Sequence, residues 1–341
     1  MSPELALAGV ALAALIAYAV LAGADFGGGI WDAFAGGSRR DEQRAAIAHA
    51  MGPVWEANHV WLIFVIVLLF TAFPPAYAAL GVALFVPFHL VLLGIILRGA
   101  AFVFRAYSPQ SARALGPGRG AYRWGAVFGA ASVITPVLLG MCLGAVSAGT
   151  LRVMDGEVRV TGVPPWLAPV SLATGLFALA VCAYVAAVYL ANETEADLRE
   201  DFRRRALWAG TATVALSVLT LPLMRAQAPH LWNGLLSARA APVVAVGVAA
   251  ALLSGWALLR RRFRLARVAT VVQVACLLAG WGIAQYPYLI YPDVTVESAA
   301  GHPATLRFVL WTLPFGMALL LPSLGYLFRV FKGERPVDGP P

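Results

Sequence analysis

Apolar residues in this chain fall into long blocks separated by short polar stretches, rather than alternating or repeating along one face. Nine blocks lie near 5–24, 54–73, 76–98, 124–149, 166–190, 206–224, 240–259, 268–287 and 308–329. A bilayer core of about 30 Å is crossed by ~20 residues of α-helix. Each block therefore predicts one transmembrane helix. The connections are short. Phe73-Pro74-Pro75 predicts a tight hairpin. The longest loops (150–165, 225–239 and 288–306) are too small for a separate domain, so residues 1–341 read as a single polytopic membrane domain. The first block, flanked by Glu4 and no Lys or Arg, reads as a span rather than a cleaved leader. Pro87, Pro136, Pro222 and Pro314 fall inside blocks and predict kinks that neighbouring helices satisfy.

Composition agrees. Of 341 residues, 60% are hydrophobic and 12% are charged, about half the charged share of a soluble domain. A soluble enzyme is excluded, since its surface needs more charge, and so is disorder. Cys142, Cys182 and Cys276 lie far apart in apolar runs, which indicates neither a zinc site nor a disulfide framework.

The net charge of +8 could suggest nucleic acid, but its distribution says otherwise. The loops after blocks 1, 3, 5 and 7 and the C-terminal tail hold 20 of the 25 Lys and Arg residues, and the remaining loops hold 5. The positive-inside rule then predicts an N-terminus outside and a C-terminus in the cytoplasm. No nucleic-acid partner is expected.

Placing the acids is more informative. Fourteen of 17 fall in loops and tails, leaving Asp25, Asp32 and Glu56. An acid within a membrane helix is costly and by default suggests a proton relay or a counter-charge. For Asp32, shortly before Ser38-Arg39-Arg40, the simpler expectation is an interfacial carboxylate paired with an arginine. Glu56 lies in Gly52-Pro53-Val54-Trp55-Glu56-Ala57-Asn58-His59-Val60-Trp61. On a helix Glu56 and His59 share a face, with Asn58 beside them. A carboxylate, an imidazole and an amide within two turns suit short proton hops. Trp55 and Trp61 read most simply as interface anchors.

Gly27-Gly28-Gly29 follows Asp25 and allows close backbone approach. Arg98, Phe102 and Arg105 share a face at the inner end of the third helix, Arg98 closing the block and the other two lying just beyond it. Asp25, Glu56 and Arg98 all fall near the cytoplasmic ends of three successive helices, which predicts one electrostatic cluster with Arg98 stabilising a carboxylate. The alternative for Arg98 and Arg105 is ordinary snorkelling. His59 and His89 raise paired haem ligation, but their depths match poorly, and hydrogen-bonded buried histidines are expected instead.

These segments resemble subunit II of the cytochrome bd-type quinol oxidases. Ala24-Asp25-Phe26-Gly27-Gly28-Gly29 resembles the family's GFDxGxG segment, and Gly52 to Trp61, continuing into Leu62, resembles GPxWDxNxVWL. Arg98-Gly99-Ala100-Ala101-Phe102-Val103-Phe104-Arg105 resembles RPxxFxxR, and Gln285-Tyr286-Pro287-Tyr288-Leu289-Ile290-Tyr291-Pro292 resembles the aromatic-proline exit of the eighth helix. The resemblance implies an all-α membrane fold of two four-helix bundles plus a peripheral helix in the bacterial cytoplasmic membrane. It implies a haem-bearing subunit I as partner, haem b and haem d-type groups held there and none here, quinol as substrate of the complex, and reduction of dioxygen to water. A small accessory membrane subunit, bound membrane lipids or a bound quinone would fit the same picture. Glu56, Asp25, His59 and Asn58 become proton-transfer candidates; Arg98, Arg105, Trp55 and Trp61 become charge-stabilising or structural ones. The chain departs from the family pattern with Glu for the common Asp at 56, Ala22 where an acid is frequent, and His59 where Gln or Glu is common.

Two other functions compete with this one. A proton-coupled secondary transporter would use Glu56 and Asp25, but transporters carry repeated halves and mid-membrane sites, whereas these charges crowd into three helices near one face. A purely structural subunit would assign every buried polar group to packing.

Overall fold

The computed structural model describes residues 2–106, 119–154, 156–160 and 162–333, without the side chains of residues 52, 53, 56, 105, 106, 119–123, 328 and 331–333. The fold is all-α apart from two short hairpins, as the apolar blocks require. The helices are α1 (Pro3–Ala33), α2 (Arg40–Ala72), α3 (Pro74–Ala83), α4 (Phe85–Ala106), α5 (Arg119–Ser147) and α6 (Pro169–Glu193). They continue with α7 (Ala196–Gln227), α8 (Pro229–Leu235), α9 (Ala241–Leu259), α10 (Phe263–Gln285) and α11 (Pro303–Gly333). Strands β1 (Arg152–Met154) and β2 (Glu157–Arg159) pair antiparallel, with Val153 opposite Val158. Strands β3 (Tyr288–Ile290) and β4 (Val294–Thr295) form the second antiparallel pair.

Among the described residues, eight helices are long and apolar enough to cross a membrane. A ninth span arises if the end of α2 and α3, bent 118° at Phe73, count as one. The third apolar block is thus divided, and sterics give the reason. A proline ring clashes with the carbonyl four residues earlier, which for Pro87 belongs to Ala83, where α3 ends. Pro87 therefore sits in the first turn of α4 rather than kinking a helix interior. Pro136, Pro222 and Pro314 do lie inside helices, joined by Pro322.

Helix α1 is the hub, packing against α2, α5, α6, α10 and α11. The other strong pairings are α4 with α5, α5 with α6, α6 with α7, and α9 with α10. Among the described residues, helix α11 packs mainly against α1 and α2, and its apolar span is unburied. Two close crossings position the site. A Cβ on Gly27 would run into the Cys182 carbonyl of α6, and one on Gly29 into the Ser132 hydroxyl of α5. Only glycine lets α1 approach both neighbours so closely.

The helices also outrun their apolar blocks. α1 continues eight residues past Asp25, to Ala33, which is ~12 Å at 1.5 Å per residue. Helix α2 begins at Arg40, and α4 runs past Arg98 to Ala106. Asp25 and Arg98 therefore sit inside the packed helices, not at their ends as the blocks alone predict.

Candidate functional site

Asp25 (α1) and Arg98 (α4) form a buried ion pair, with side chains 1% and 2% exposed. Arg98 Nη1 donates to Asp25 Oδ2. Arg98 Nη2 donates to Oδ1 and to the Asp25 carbonyl, each at 2.6 Å. Asn58 Nδ2 (α2) donates to Oδ2 at 2.7 Å. Arg98 Nε donates to Ser132 Oγ at 2.9 Å, and Ser132 donates onward to the Phe128 carbonyl at 2.7 Å. The guanidinium lies 4.9 Å from the ring centres of both Phe26 and Phe128. Arginine suits this position because its planar fork meets a carboxylate bidentately and stacks on aromatic faces. The cluster ties four helices together through one charge pair.

A cavity of about 320 Å³ opens beside it. Asp25 and Arg98 line one part, Asp32 and Arg44 another, and Trp55, Met51 and Phe102 the wall between. Asp32 is 3% exposed. Arg44 Nε lies 3.8 Å from its Oδ1 and donates to its backbone carbonyl at 3.4 Å. An arginine partner for Asp32 was expected from the sequence, and it is Arg44, one turn into α2, rather than Arg39 or Arg40 beside Ser38. The cavity is wide enough for several waters and presents them with charged groups.

The remaining candidates divide. Asn58 joins the Asp25 cluster. His59 turns away, its Nδ1 2.6 Å from the Trp55 carbonyl and its ring edge-on to Trp55 at 5.3 Å. Trp55 stacks on Phe102 at 6.0 Å and walls the cavity, and Trp61 packs beside Tyr18, Ala22 and Phe26. Both tryptophans thus pack inside the helices rather than only anchoring an interface. His89 is exposed, contrary to the expected buried ring, with Nδ1 2.7 Å from the Phe85 carbonyl. Each histidine is engaged by its own helix, and the described residues contain no group of three His, Cys, Asp or Glu that could hold a metal. The side chains of Glu56 and Arg105 lie outside the described residues, as does the outcome for their shared faces with His59 and Arg98.

Sequence reasoning missed Ser132, Phe128 and Arg44. Ser132 sits in an apolar run as Ala131-Ser132-Val133, where one hydroxyl gives little signal. Arg44 looked like one loop cation among several. A second buried polar cluster was also missed: Tyr184 Oη (α6) lies 2.6 Å from Ser254 Oγ (α9), which lies 2.7 Å from Thr270 Oγ1 (α10).

With the fold and site in hand, comparison with known proteins is direct. The family described as "Cytochrome bd terminal oxidase subunit II" matches residues 3–331. A Bacillus subtilis (strain 168) protein named "Putative cytochrome bd menaquinol oxidase subunit II" is 26% identical over 329 residues, covering 93% of this chain and 92% of that one. The "Cytochrome bd-I ubiquinol oxidase subunit 2" of Escherichia coli (strain K12) is 28% identical over 208 residues, 60% of this chain. That alignment spans 52% of the E. coli protein. The solved structure of bd oxidase from Geobacillus thermodenitrificans superposes with a TM-score of 0.80 at 24% identity, covering 98% of this chain and 100% of that one, which establishes the fold. This multi-pass chain of the bacterial cytoplasmic membrane belongs to the cytochrome bd terminal oxidase subunit II family.

Proposed function

We propose that this chain supports the haem-bearing subunit I of a quinol oxidase and supplies it with cytoplasmic protons for reducing oxygen to water. The observation that carries this reading is the 320 Å³ cavity reaching from Asp32 and Arg44 to Asp25 and Arg98. A route for protons needs space for water and charged groups to order it, and this cavity has both. The family resemblance assigns the haems to the partner; here His59 and His89 each place Nδ1 on the carbonyl four residues earlier in their own helix. No proton step is routed through them.

The geometry around Asp25 supports different duties for Asp25 and Glu56. Both Asp25 oxygens already accept hydrogen bonds, from Arg98 and Asn58. A proton landing on Asp25 would have to displace one of these donors. Asp25 is therefore the fixed counter-charge for Arg98, and Arg98 sets the potential in the cavity. Glu56, two residues before Asn58 on the same helix, carries the mobile proton. His59 and Trp55, one turn apart, flank that helix segment. The N-terminus outside and the arginine-rich end in the cytoplasm, as the positive-inside rule directs, put the Asp32 end of the cavity on the proton-uptake side.

The test is Glu56→Gln in the intact complex. The variant is expected to keep assembly and haem content while quinol-driven oxygen reduction falls by roughly a hundredfold, the lower end of what one proton-transfer group contributes. Unchanged turnover and proton uptake would overturn the relay. A structural role alone predicts haem loss from the partner when the Asp25 cluster is broken, with little effect of Glu56→Gln.

A further inference from the structure

We infer that the arginines at the start of α7 and in the α9–α10 turn form a binding site for the headgroup of an anionic phospholipid. This goes beyond proton supply and does not depend on it.

The α9–α10 turn reads Arg260-Arg261-Arg262 between Leu259 and Phe263. Helix α9 closes with backbone bonds from Arg262 N to Ala257 O at 2.8 Å and from Arg261 N to Leu258 O at 3.3 Å. This closure puts one residue in the left-handed region, a position that glycine normally occupies. Here it is Arg261, at φ 57. Membrane topology requires only that cations lie somewhere in this loop. It does not require an arginine at the one backbone position that disfavours a side chain. An observed backbone outlier of this kind points to use of the side chain.

The cations converge. The Arg203 guanidinium of α7 reaches the Leu258 carbonyl at the end of α9, at 3.4 Å. Glu200 is shared by Arg203 at 2.6 Å, Arg204 at 3.8 Å and Arg261 at 3.6 Å. One carboxylate facing three guanidiniums leaves a local positive excess. Arg204 and Arg261 are mostly exposed, with side chains 72% and 68% accessible, and Arg260 is exposed as well. A phosphate diester meets such a set through charge-assisted bonds.

The flanking surface selects a lipid over a free phosphate. Trp208, one helical turn along α7 from Arg204, is 76% exposed, and Leu259, next to Arg260, is 65% exposed. Trp256 is partly exposed under the Arg262 guanidinium, 5.2 Å from its ring. Aromatic rings at headgroup level with exposed leucine beside basic residues match a phosphate above and acyl chains below.

The test uses the purified complex with subunit I present. Native mass spectrometry and thermal unfolding are read after adding phosphatidylglycerol, phosphatidylcholine or inorganic phosphate. Phosphatidylglycerol should remain bound and raise the melting temperature, and the other two should not. The Arg204→Gln/Arg260→Gln/Arg261→Gln variant should lose the bound lipid and the rise while keeping subunit I. Arg261→Gly gives an arm in which folding is not at risk, because glycine favours that backbone. It should fold at least as well as wild type yet bind phosphatidylglycerol at least threefold more weakly. Equal binding in the variants, an equal rise with phosphatidylcholine or inorganic phosphate, or loss of subunit I from the triple variant would each overturn the site.

Discussion

Two buried polar clusters hold this molecule together, and they are built on opposite plans. Around Asp25 and Arg98 the groups are ionic, drawn from α1, α2, α4 and α5, and they border a 320 Å³ cavity. Between α6, α9 and α10 the groups are neutral hydroxyls, Tyr184, Ser254 and Thr270, with Ser254 also reaching the Ala266 carbonyl at 3.2 Å. Hydroxyls both donate and accept, so such a chain closes on itself without charge. An ion pair carries a desolvation penalty that hydrophobic residues of similar shape would avoid. Keeping one inside a membrane-spanning bundle points to use of the charge, while the hydroxyl chain is accounted for by helix packing.

The largest expected effect tests the ionic plan. Arg98→Ala leaves Asp25 buried without its partner, with an expected cost of about 3–5 kcal/mol. It should appear as loss of assembled chain from membranes, or as a steep fall in melting temperature in detergent. Removing both charges with Asp25→Leu/Arg98→Met should restore much of that stability, since an apolar replacement of a buried pair is often neutral. Quinol oxidase activity should not return with it. A double variant that is both stable and fully active would remove the functional half of the contrast.

Next comes the neutral plan. Ser254→Ala removes the central hydroxyl of the chain and leaves Tyr184 and Thr270 only each other as side-chain partners, an expected loss of about 1 kcal/mol, the net worth of a typical hydrogen bond. The triple replacement Tyr184→Phe/Ser254→Ala/Thr270→Val removes all three hydroxyls at once and is expected to cost no more than Ser254→Ala alone. Activity per assembled complex should stay at the wild-type level in both. Reduced turnover at full haem content would show that the hydroxyls do more than pack.

How far the sequence revealed these clusters follows from their chemistry. Acids are rare enough here that elimination led to Asp25 and Glu56, and Arg98 stood out at the end of an apolar block. The joining of Asp25 and Arg98 into one cluster could be anticipated because long blocks come in succession; the side chain of Glu56 lies outside the described residues. Ser132, Ser254 and Thr270 could not be, because single hydroxyls are common in membrane helices and bond their own backbone as readily as a neighbour. Thr213, bonded to the Ala209 carbonyl at 2.8 Å, shows that alternative. The helix ends were misjudged for a related reason. Hydropathy marks where lipid begins, not where helical hydrogen bonding stops, so α2 begins at Arg40, well before its apolar block. The split between α3 and α4 was written in Pro87, but it shows only once the clash with the Ala83 carbonyl is considered.

The smallest expected effect lies outside both clusters, in the hairpin loops. Asp293 accepts from Arg152 Nε at 2.7 Å and Nη2 at 2.9 Å, and from the Val153 N–H at 2.8 Å. The Arg152 guanidinium holds this carboxyl below its ordinary value; partial burial pushes the other way, and the Val153 N–H adds to the lowering. A carboxyl lowered in the folded state stabilises it fully above the unfolded value of about 3.9, and that contribution disappears as pH falls through the lowered folded value. Asp293→Asn should therefore lower the melting temperature slightly at neutral pH and not at all in strong acid, and added salt should shrink the difference, because Arg152 is half exposed. Neither of the buried clusters should show that salt dependence. If Asp293→Asn matched Ser254→Ala in cost, the loops would have to be counted with the clusters as a third structural anchor.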